Sequence, residues 1–304
     1  MNTFTPPTFE KEEVRDWLDY LEEHGYSVIR DVLEQEVIND SLELFWKDWN
    51  TVSPGFVRTD PTTWGINTAP MMFAKGMAVF NGFGQSDFMW NLRLQKSIQT
   101  IFQEIHKTEH LITSFDGFSV FFSKKQKSDP WWHIDQHPSN QILSVQGAYN
   151  FLPVTKQSAG FTIVPGSHTS FSPSQTKDNP DWIQVYKNKS KSEADNIIAS
   201  GVKLLVPGNS FILWSSRSIH ANTGPTHNDI RLDRLTAYIT MIPKSVKLKE
   251  KRLDAYRNGE TCSHWPNKVE IKRYPWGFGP RYIAKGFHKI VPLPEIPKER
   301  LALI

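Results

Sequence analysis

Hydrophobic and polar positions along this chain change period once. Between residues 9 and 24, Val14, Trp17, Leu18 and Leu21 recur at helical spacing among charges, and His24-Gly25 supplies a C-terminal stop. Tyr26 to Arg30 alternates as a short strand. The spacing predicts a second helix over 34–48, with Val37, Leu42, Leu44, Phe45 and Trp49 supplying the apolar positions. It predicts a third over 87–106, carrying Trp90, Leu94, Ile98, Ile101, Phe102 and Ile105. Residues 50–90, rich in Gly, Pro, Asn and Thr, read as a long loop, a feature that is usually functional or mobile in a compact domain.

From about residue 111 the period falls to two. Strands are predicted over 111–122, 143–152, 160–164, 203–206, 210–214 and 235–242, with turns at Asp129-Pro130, Pro165-Gly166, Pro207-Gly208 and Thr223-Gly224-Pro225. The polar stretch 172–200 reads as an insertion between strands. A charged helix is expected from Pro243 to about Asn258, then a Trp- and Pro-rich tail without a clear period. Short strands separated by turn signals argue for a β-sandwich or barrel. No repeat and no long linker divides the 304 residues. One domain is therefore expected: an N-terminal helical part over about 9–106, a β core over about 111–242, and a C-terminal helix and tail over about 243–304.

Composition narrows the chemistry. Lys and Arg number 35 against 32 Asp and Glu, a net charge of +3 with no basic stripe, so neither nucleic acid nor an anionic membrane is an expected partner. A single cysteine, Cys262, excludes an internal disulfide framework and any cysteine-rich metal site. Eleven Trp and nineteen Phe are enough for a large core and an aromatic-lined pocket. The N-terminus has neither a basic segment nor an apolar one, and no run reaches membrane-spanning length, so a soluble cytoplasmic protein is expected. The oligomeric state is not legible.

The sharpest local feature is Trp131-Trp132-His133-Ile134-Asp135-Gln136-His137. Residues two apart in a strand share a face, so His133 and Asp135 could bind one metal ion. A second histidine would complete a two-His-one-carboxylate triad with open positions for a cosubstrate and dioxygen. Downstream, Pro207-Gly208 opens a turn into a strand ending near Trp214, and His220 follows it. The next strand places Arg234, Thr236, Tyr238 and Thr240 on one face. An arginine on a core strand is costly unless paired, and an organic dicarboxylate suits a guanidinium fork with a hydroxyl beside it.

His133-x-Asp135, then Pro165-Gly166-Ser167-His168, then a Pro-Gly turn leading to His220, then Arg234-x-Thr236, together resemble the phytanoyl-CoA dioxygenase-like family. The segment Gly25–Leu33 resembles that family's N-terminal strand, and the likeness runs over roughly residues 20–245. The resemblance implies a mainly β fold, a double-stranded β-helix (jelly-roll or cupin-like) core with flanking helices. It implies Fe(II) on His133, Asp135 and His220, with 2-oxoglutarate and dioxygen at the remaining positions. Arg234, helped by Thr236, would hold the distal carboxylate. Arg231 lies at the spacing more usual in the family, but Arg234 starts the strand and carries the Arg-x-Thr pattern, so it is preferred. Gln146 and Tyr149 are candidates for the cosubstrate wall. The implied activity couples decarboxylation of 2-oxoglutarate to succinate and CO2 with hydroxylation, or another oxidation, of a small organic molecule. Related halogenases replace the carboxylate ligand with a small residue, so Asp135 favours hydroxylation. Two alternatives stand beside this: a non-catalytic protein of the same fold that binds a ligand or partner, and the same chemistry on a macromolecule.

Plainer readings apply elsewhere. His137 suits a hydrogen-bonding or exposed role, and His168 a structural turn. His24, His106, His110, His227, His264 and His288 have no partner pattern. At most one of Trp131 and Trp132 can face the site. Met71-Met72-Phe73 and Asn81–Gly84 could form a lid or substrate wall. Asp116 could meet a polar substrate or cap a turn with Gly117. The basic runs Lys124–Lys127 and Lys244–Arg252 read as solvated.

Overall fold

The structure is a computed structural model and describes residues 1–65, 67–73, 76–122, 130–173, 181–244, 249–273 and 286–304. The Lys124–Lys127 run and residues 245–248 of the second basic run lie outside the described residues. The chain forms two compact units of interleaved segments. The first comprises Met1–Val32 and Ser123–Asp229, and the second Leu33–Phe122 and Ile230–Ile304.

In the first unit, the helix Val14–His24 buries Trp17 and Leu21 and ends at Gly25, whose φ of 77° is the left-handed cap that glycine adopts without strain. The Pro165–His168 element docks against this cap. Gly166 N donates to His24 O over 2.9 Å, and a Cβ on Gly25 would stand 2.4 Å from His168 Nδ1. Tyr26–Arg30 pairs antiparallel with Ser210–Ser215, which pairs antiparallel with Val145–Asn150. Val145–Asn150 is buried at all six positions.

A six-stranded sheet runs in the order Asn2–Phe4, Val202–Leu204, Gly160–Ile163, His220–Thr223, His133–Ile134, Ile183–Gln184. Its first pair is parallel and the others antiparallel. Trp132, Ile134, Ile183, Val185, Ile219 and Ala221 belong to the apolar cluster packed on it. The expected insertion contributes Ile183–Gln184 to this sheet. It also forms the helices Val185–Asn188 and Lys191–Ile198, the latter with a Ser190/Glu193 capping box.

The second unit corrects several boundaries. The helix expected over 34–48 runs from Gln35 to Val52. The helix expected over 87–106 is two helices, Asp87–Arg93 and Lys96–His106, because Gln95 turns extended (φ −66°, ψ 124°). The strand expected over 111–122 is also two. Leu111–Thr113 pairs with Met241–Pro243, and Phe118–Phe121 pairs with Arg234–Ile239 on one side and Met77–Ala78 on the other. Between them, Gly117 permits close backbone approach, since a Cβ there would meet Ala78 O at 2.1 Å. Asp116 takes the capping alternative, its Oδ1 accepting from Gly117 N over 2.8 Å.

Much of the aromatic load sits in this unit. Trp49 stacks on Phe83 (centroids 5.7 Å, planes 21° apart), and Phe45, Phe83 and Phe88 all pack on Phe118. Asn81–Gly84 is therefore packing and not a lid. Gly84 N donates to Thr261 Oγ1 over 2.8 Å, and Gly82 lies under the Ile290 carbonyl. The helix expected from Pro243 to about Asn258 is described over Lys249–Arg257. Its buried Arg252 donates to the carbonyls of Thr113, Pro266, Leu303 and Ile304, which ties the tail down.

Largely antiparallel sheets with flanking helices make this the double-stranded β-helix architecture that the resemblance implies. No helix among the described residues is long and apolar enough to cross a membrane.

Candidate metal centre and carboxylate-binding arginine

His133 and His220 are direct cross-strand partners in the six-stranded sheet. Each imidazole is fixed the same way. Nδ1 of His133 is 2.8 Å from Trp131 O, and Nδ1 of His220 is 2.9 Å from Ser218 O. A carbonyl can only accept, so Nδ1 carries the proton in the neutral ring and the Nε2 lone pair is the one available to a metal. The two Nε2 atoms lie 3.4 Å from Asp135 Oδ1 and 3.3 Å from Asp135 Oδ2 respectively. One ligand atom from each residue falls within 4.8 Å of the others, and all three residues are buried. Among the described residues no second group of this kind occurs.

Strand alternation does not account for where Asp135 stands. The strand ends at Ile134, so Asp135 stands beyond it. What holds Asp135 is its main-chain N, which donates to Ser216 O over 2.8 Å. Its side chain is held as well: the Gln146 amide donates to Asp135 Oδ2 over 2.9 Å and to Ser216 Oγ over 3.2 Å. An ionised carboxylate accepts only, which fixes the amide nitrogen towards it. Ser216 Oγ in turn lies 2.7 Å from Ser144 Oγ. The role of Gln146 towards Asp135, and the part of Ser216, were not legible in the sequence. Both depend on the register Trp214↔Gln146, which no local pattern announces.

Aromatic rings enclose the histidines. Trp131 stacks nearly parallel on His133 (5.9 Å, 9°), and Trp182 stands at 6.1 Å from the same ring. Phe161 and Trp214 lie 5.7 and 5.4 Å from His220. Trp132 instead points into the apolar cluster, so one of the two tryptophans does flank the site.

The donor set suits a first-row divalent ion. Two neutral imidazoles and one carboxylate converge, and further coordination positions would remain for other ligands.

Arg234, in the second unit, begins the strand Arg234–Ile239 and is 2% exposed. Its Nε donates to Thr236 Oγ1 over 3.0 Å, while Nη1 and Nη2 have no hydrogen-bond partner among the described residues. Burial pushes its pKa down, and the neighbouring Tyr238 and Asp233 act in the opposite direction. A buried guanidinium with both terminal nitrogens unsatisfied costs several kcal/mol, about what an ionic partner would offset. A carboxylate has the matching planar, bidentate shape. Arg231 sits in the preceding loop with its side chain 53% exposed, 3.6 Å from Asp233 Oδ1. Tyr149 donates its hydroxyl to Asn209 Oδ1 over 2.8 Å, a structural use at the Pro207-Gly208 turn.

The other candidates take plainer roles. His137 Nδ1 bonds Ser139 within its own turn, and His168 Nε2 bonds Glu22 O at 2.9 Å. Cys262 is buried, which pushes its thiol up to about 12 and leaves it unreactive.

No protein-family model matches the chain. In sequence it is 27% identical to Ava biosynthesis cluster protein O of Aspergillus versicolor, over 79% of this chain and 80% of that one. It is 20% identical to a protein of Dictyostelium discoideum named as a candidate phytanoyl-CoA dioxygenase, over 84% of this chain and 83% of the relative. Among solved structures it resembles the epimerase SnoN in complex with Fe3+, alpha ketoglutarate and nogalamycin RO. That match has a TM-score of 0.54 and 17% identity, and covers 88% of this chain and 98% of that one. At that identity the likeness is one of fold. The chain thus resembles phytanoyl-CoA dioxygenase-like oxygenases in both sequence and fold.

Proposed function

We propose that this protein is an Fe(II)- and 2-oxoglutarate-dependent dioxygenase that hydroxylates, or otherwise oxidises, a C–H bond of a small organic molecule, releasing succinate and CO2. The observation that carries this reading is the convergence of His133 Nε2 and His220 Nε2 on the buried Asp135 carboxylate. Ferrous iron with 2-oxoglutarate and dioxygen supplies the oxidising chemistry. The chain's own residues hold, orient and shield. The carbonyls of Trp131 and Ser218 keep both imidazoles in the tautomer that leaves Nε2 available. Asp135 supplies one negative charge, and Gln146 sets its rotation. Trp131, Trp182, Phe161 and Trp214 surround the imidazoles with apolar surface and limit water. Arg234 and Thr236 take the distal carboxylate of 2-oxoglutarate.

Two further points support details of the reading. The carboxylate ligand is retained, which favours hydroxylation over halogenation. One relative is named for a biosynthesis cluster and the SnoN structure holds nogalamycin RO, both of which favour a small-molecule substrate.

The test is succinate release from 2-oxoglutarate by the purified protein with Fe(II) in air. Succinate formation that disappears when His133, Asp135 or His220 is replaced by Ala is the expected result. Absence of succinate from an iron-loaded wild type would instead favour a non-catalytic protein of this fold.

A further inference from the structure

Ser119 is the one polar residue of the strand Phe118–Phe121, in the company of Phe118, Val120 and Phe121. It is fully buried, and its Oγ has no hydrogen-bond partner among the described residues. A hydroxyl left in that state costs about 1–3 kcal/mol, so alanine would be the better residue if packing were its only task.

Register places this hydroxyl beside the arginine. Ser119 is the direct antiparallel partner of Thr236, and Phe121 is the partner of Arg234. Directly opposed residues share a face, with Cβ atoms about 4.5–5.5 Å apart, and diagonal neighbours at about 7–8 Å remain within reach of a long side chain. Ser119, Thr236 and Arg234 therefore lie on one face of one sheet. Three polar atoms there lack partners among the described residues: Nη1 and Nη2 of Arg234, and Oγ of Ser119. All three can donate, and a single group with several acceptor lone pairs and one negative charge would serve them together.

We propose that Ser119 is a third donor to the carboxylate held by Arg234 and Thr236, the distal end of an organic dicarboxylate. This rests on the reading of Arg234 given above. The Arg234 fork engages the carboxylate oxygens in its plane, and Ser119 O–H donates to a remaining lone pair. Net charge balances, with one guanidinium against one carboxylate.

The experiment compares wild type with Ser119→Ala in three measurements on the full chain loaded with Ni(II), which is inert towards the reaction. These are thermal midpoint without 2-oxoacid, affinity for 2-oxoglutarate, and affinity for 2-oxopentanoate, which keeps the ketoacid end but lacks the distal carboxylate. Ser119→Ala should fold with an equal or higher midpoint. It should bind 2-oxoglutarate at least tenfold more weakly, since a hydrogen bond to a charged group is lost. Its affinity for 2-oxopentanoate should match wild type. Unchanged 2-oxoglutarate affinity, an equal loss for both oxoacids, or a lowered midpoint or failure to fold would each overturn the proposal for Ser119. A wild type that binds no 2-oxoglutarate would remove the reading of Arg234 as well, so the two failures are distinct.

Discussion

The side-chain amide of Gln146 donates to Asp135 Oδ2 over 2.9 Å, so the carboxylate of the candidate metal centre is held in rotation from the strand Val145–Asn150. Partners of this kind around a metal ligand are typically worth about 10- to 100-fold in metal affinity. Gln146→Met keeps the length of the side chain and removes the donor. It should weaken Ni(II) or Co(II) binding by at least tenfold and shift the visible absorption of the Co(II) form, with little change in fold. Identical affinity and an identical Co(II) spectrum would show that the amide does not position the ligand.

Arg234 and Arg231 make opposite predictions although they are three residues apart. Arg234 is buried with its Nη atoms unpaired among the described residues, whereas Arg231 is half-exposed in the preceding loop. Arg234→Met should reduce 2-oxoglutarate affinity about 100-fold or more, because a desolvated charge pair is lost. The ligand-free protein should be no less stable, since the variant removes a buried charge that Tyr238 and Asp233 offset only in part. Arg231→Ala should change the affinity less than about threefold, as expected of a screened surface cation. The reverse ranking in a binding titration would reassign the carboxylate to Arg231.

The polar residues of the candidate site were more legible in the sequence than the scaffold that positions them. His133, Asp135, His220 and Arg234 could be picked out because their residue types are costly or unusual where they stand, inside apolar, strand-like surroundings. Ser119 and Gln146 could not, because a serine or glutamine in a strand is unremarkable until register shows its neighbour. The longer helices and strands followed from period, but their breaks did not, nor did the short strands Asn2–Phe4, Ile183–Gln184 and His220–Thr223. The split at Gln95 depends on one extended residue, and the split at Ser114–Gly117 on a close approach to Ala78. Neither leaves a trace in hydrophobic spacing. The long loop read over 50–90 turned out to contain the 3-10 turns Pro61–Thr63 and Phe83–Gln85, and the two-residue strand Met77–Ala78. Elements that short bury too few residues to show a period.

Gly25 joins two structural demands at one position. Its φ is 77°, and a Cβ would stand 2.4 Å from His168 Nδ1 and 2.6 Å from Ser218 Oγ. Left-handed backbone costs a non-glycine residue about 1–2 kcal/mol before any clash. Gly25→Ala should therefore destabilise the fold by about 3 kcal/mol or more in denaturant titration. A loss below about 1 kcal/mol would mean that the cap and the docked His168 yield easily.

Asp48 gives a pH dependence that has nothing to do with the metal. Its Oδ2 accepts from Phe88 N over 2.8 Å, and burial pushes its pKa up to about 6 from 3.8, with Asp87 adding to the rise. The folded state thus holds a proton that the unfolded chain releases at lower pH. The favourable contribution is present below about pH 4 and is lost as the pH rises through about 6. The difference of about 2 pKa units corresponds to roughly 3 kcal/mol of lost stability at neutral pH. Asp48→Asn keeps an acceptor for Phe88 N and cannot ionise. It should be more stable than wild type above pH 6, by about 1–3 kcal/mol, and should flatten the stability profile between pH 4 and 6. An unchanged slope there would show that Asp48 is not the group responsible.

The central claim is that His133, Asp135 and His220 hold ferrous iron to which 2-oxoglutarate binds. Anaerobic titration of the metal-free protein with Fe(II), then with 2-oxoglutarate, tests it most directly, because a 2-oxoacid chelated to ferrous iron absorbs visible light. The account predicts a visible band that saturates at one equivalent of iron, requires 2-oxoglutarate, and is lost in His133→Ala, Asp135→Ala and His220→Ala. No band in the wild type, or an undiminished band in any of the three variants, would contradict it.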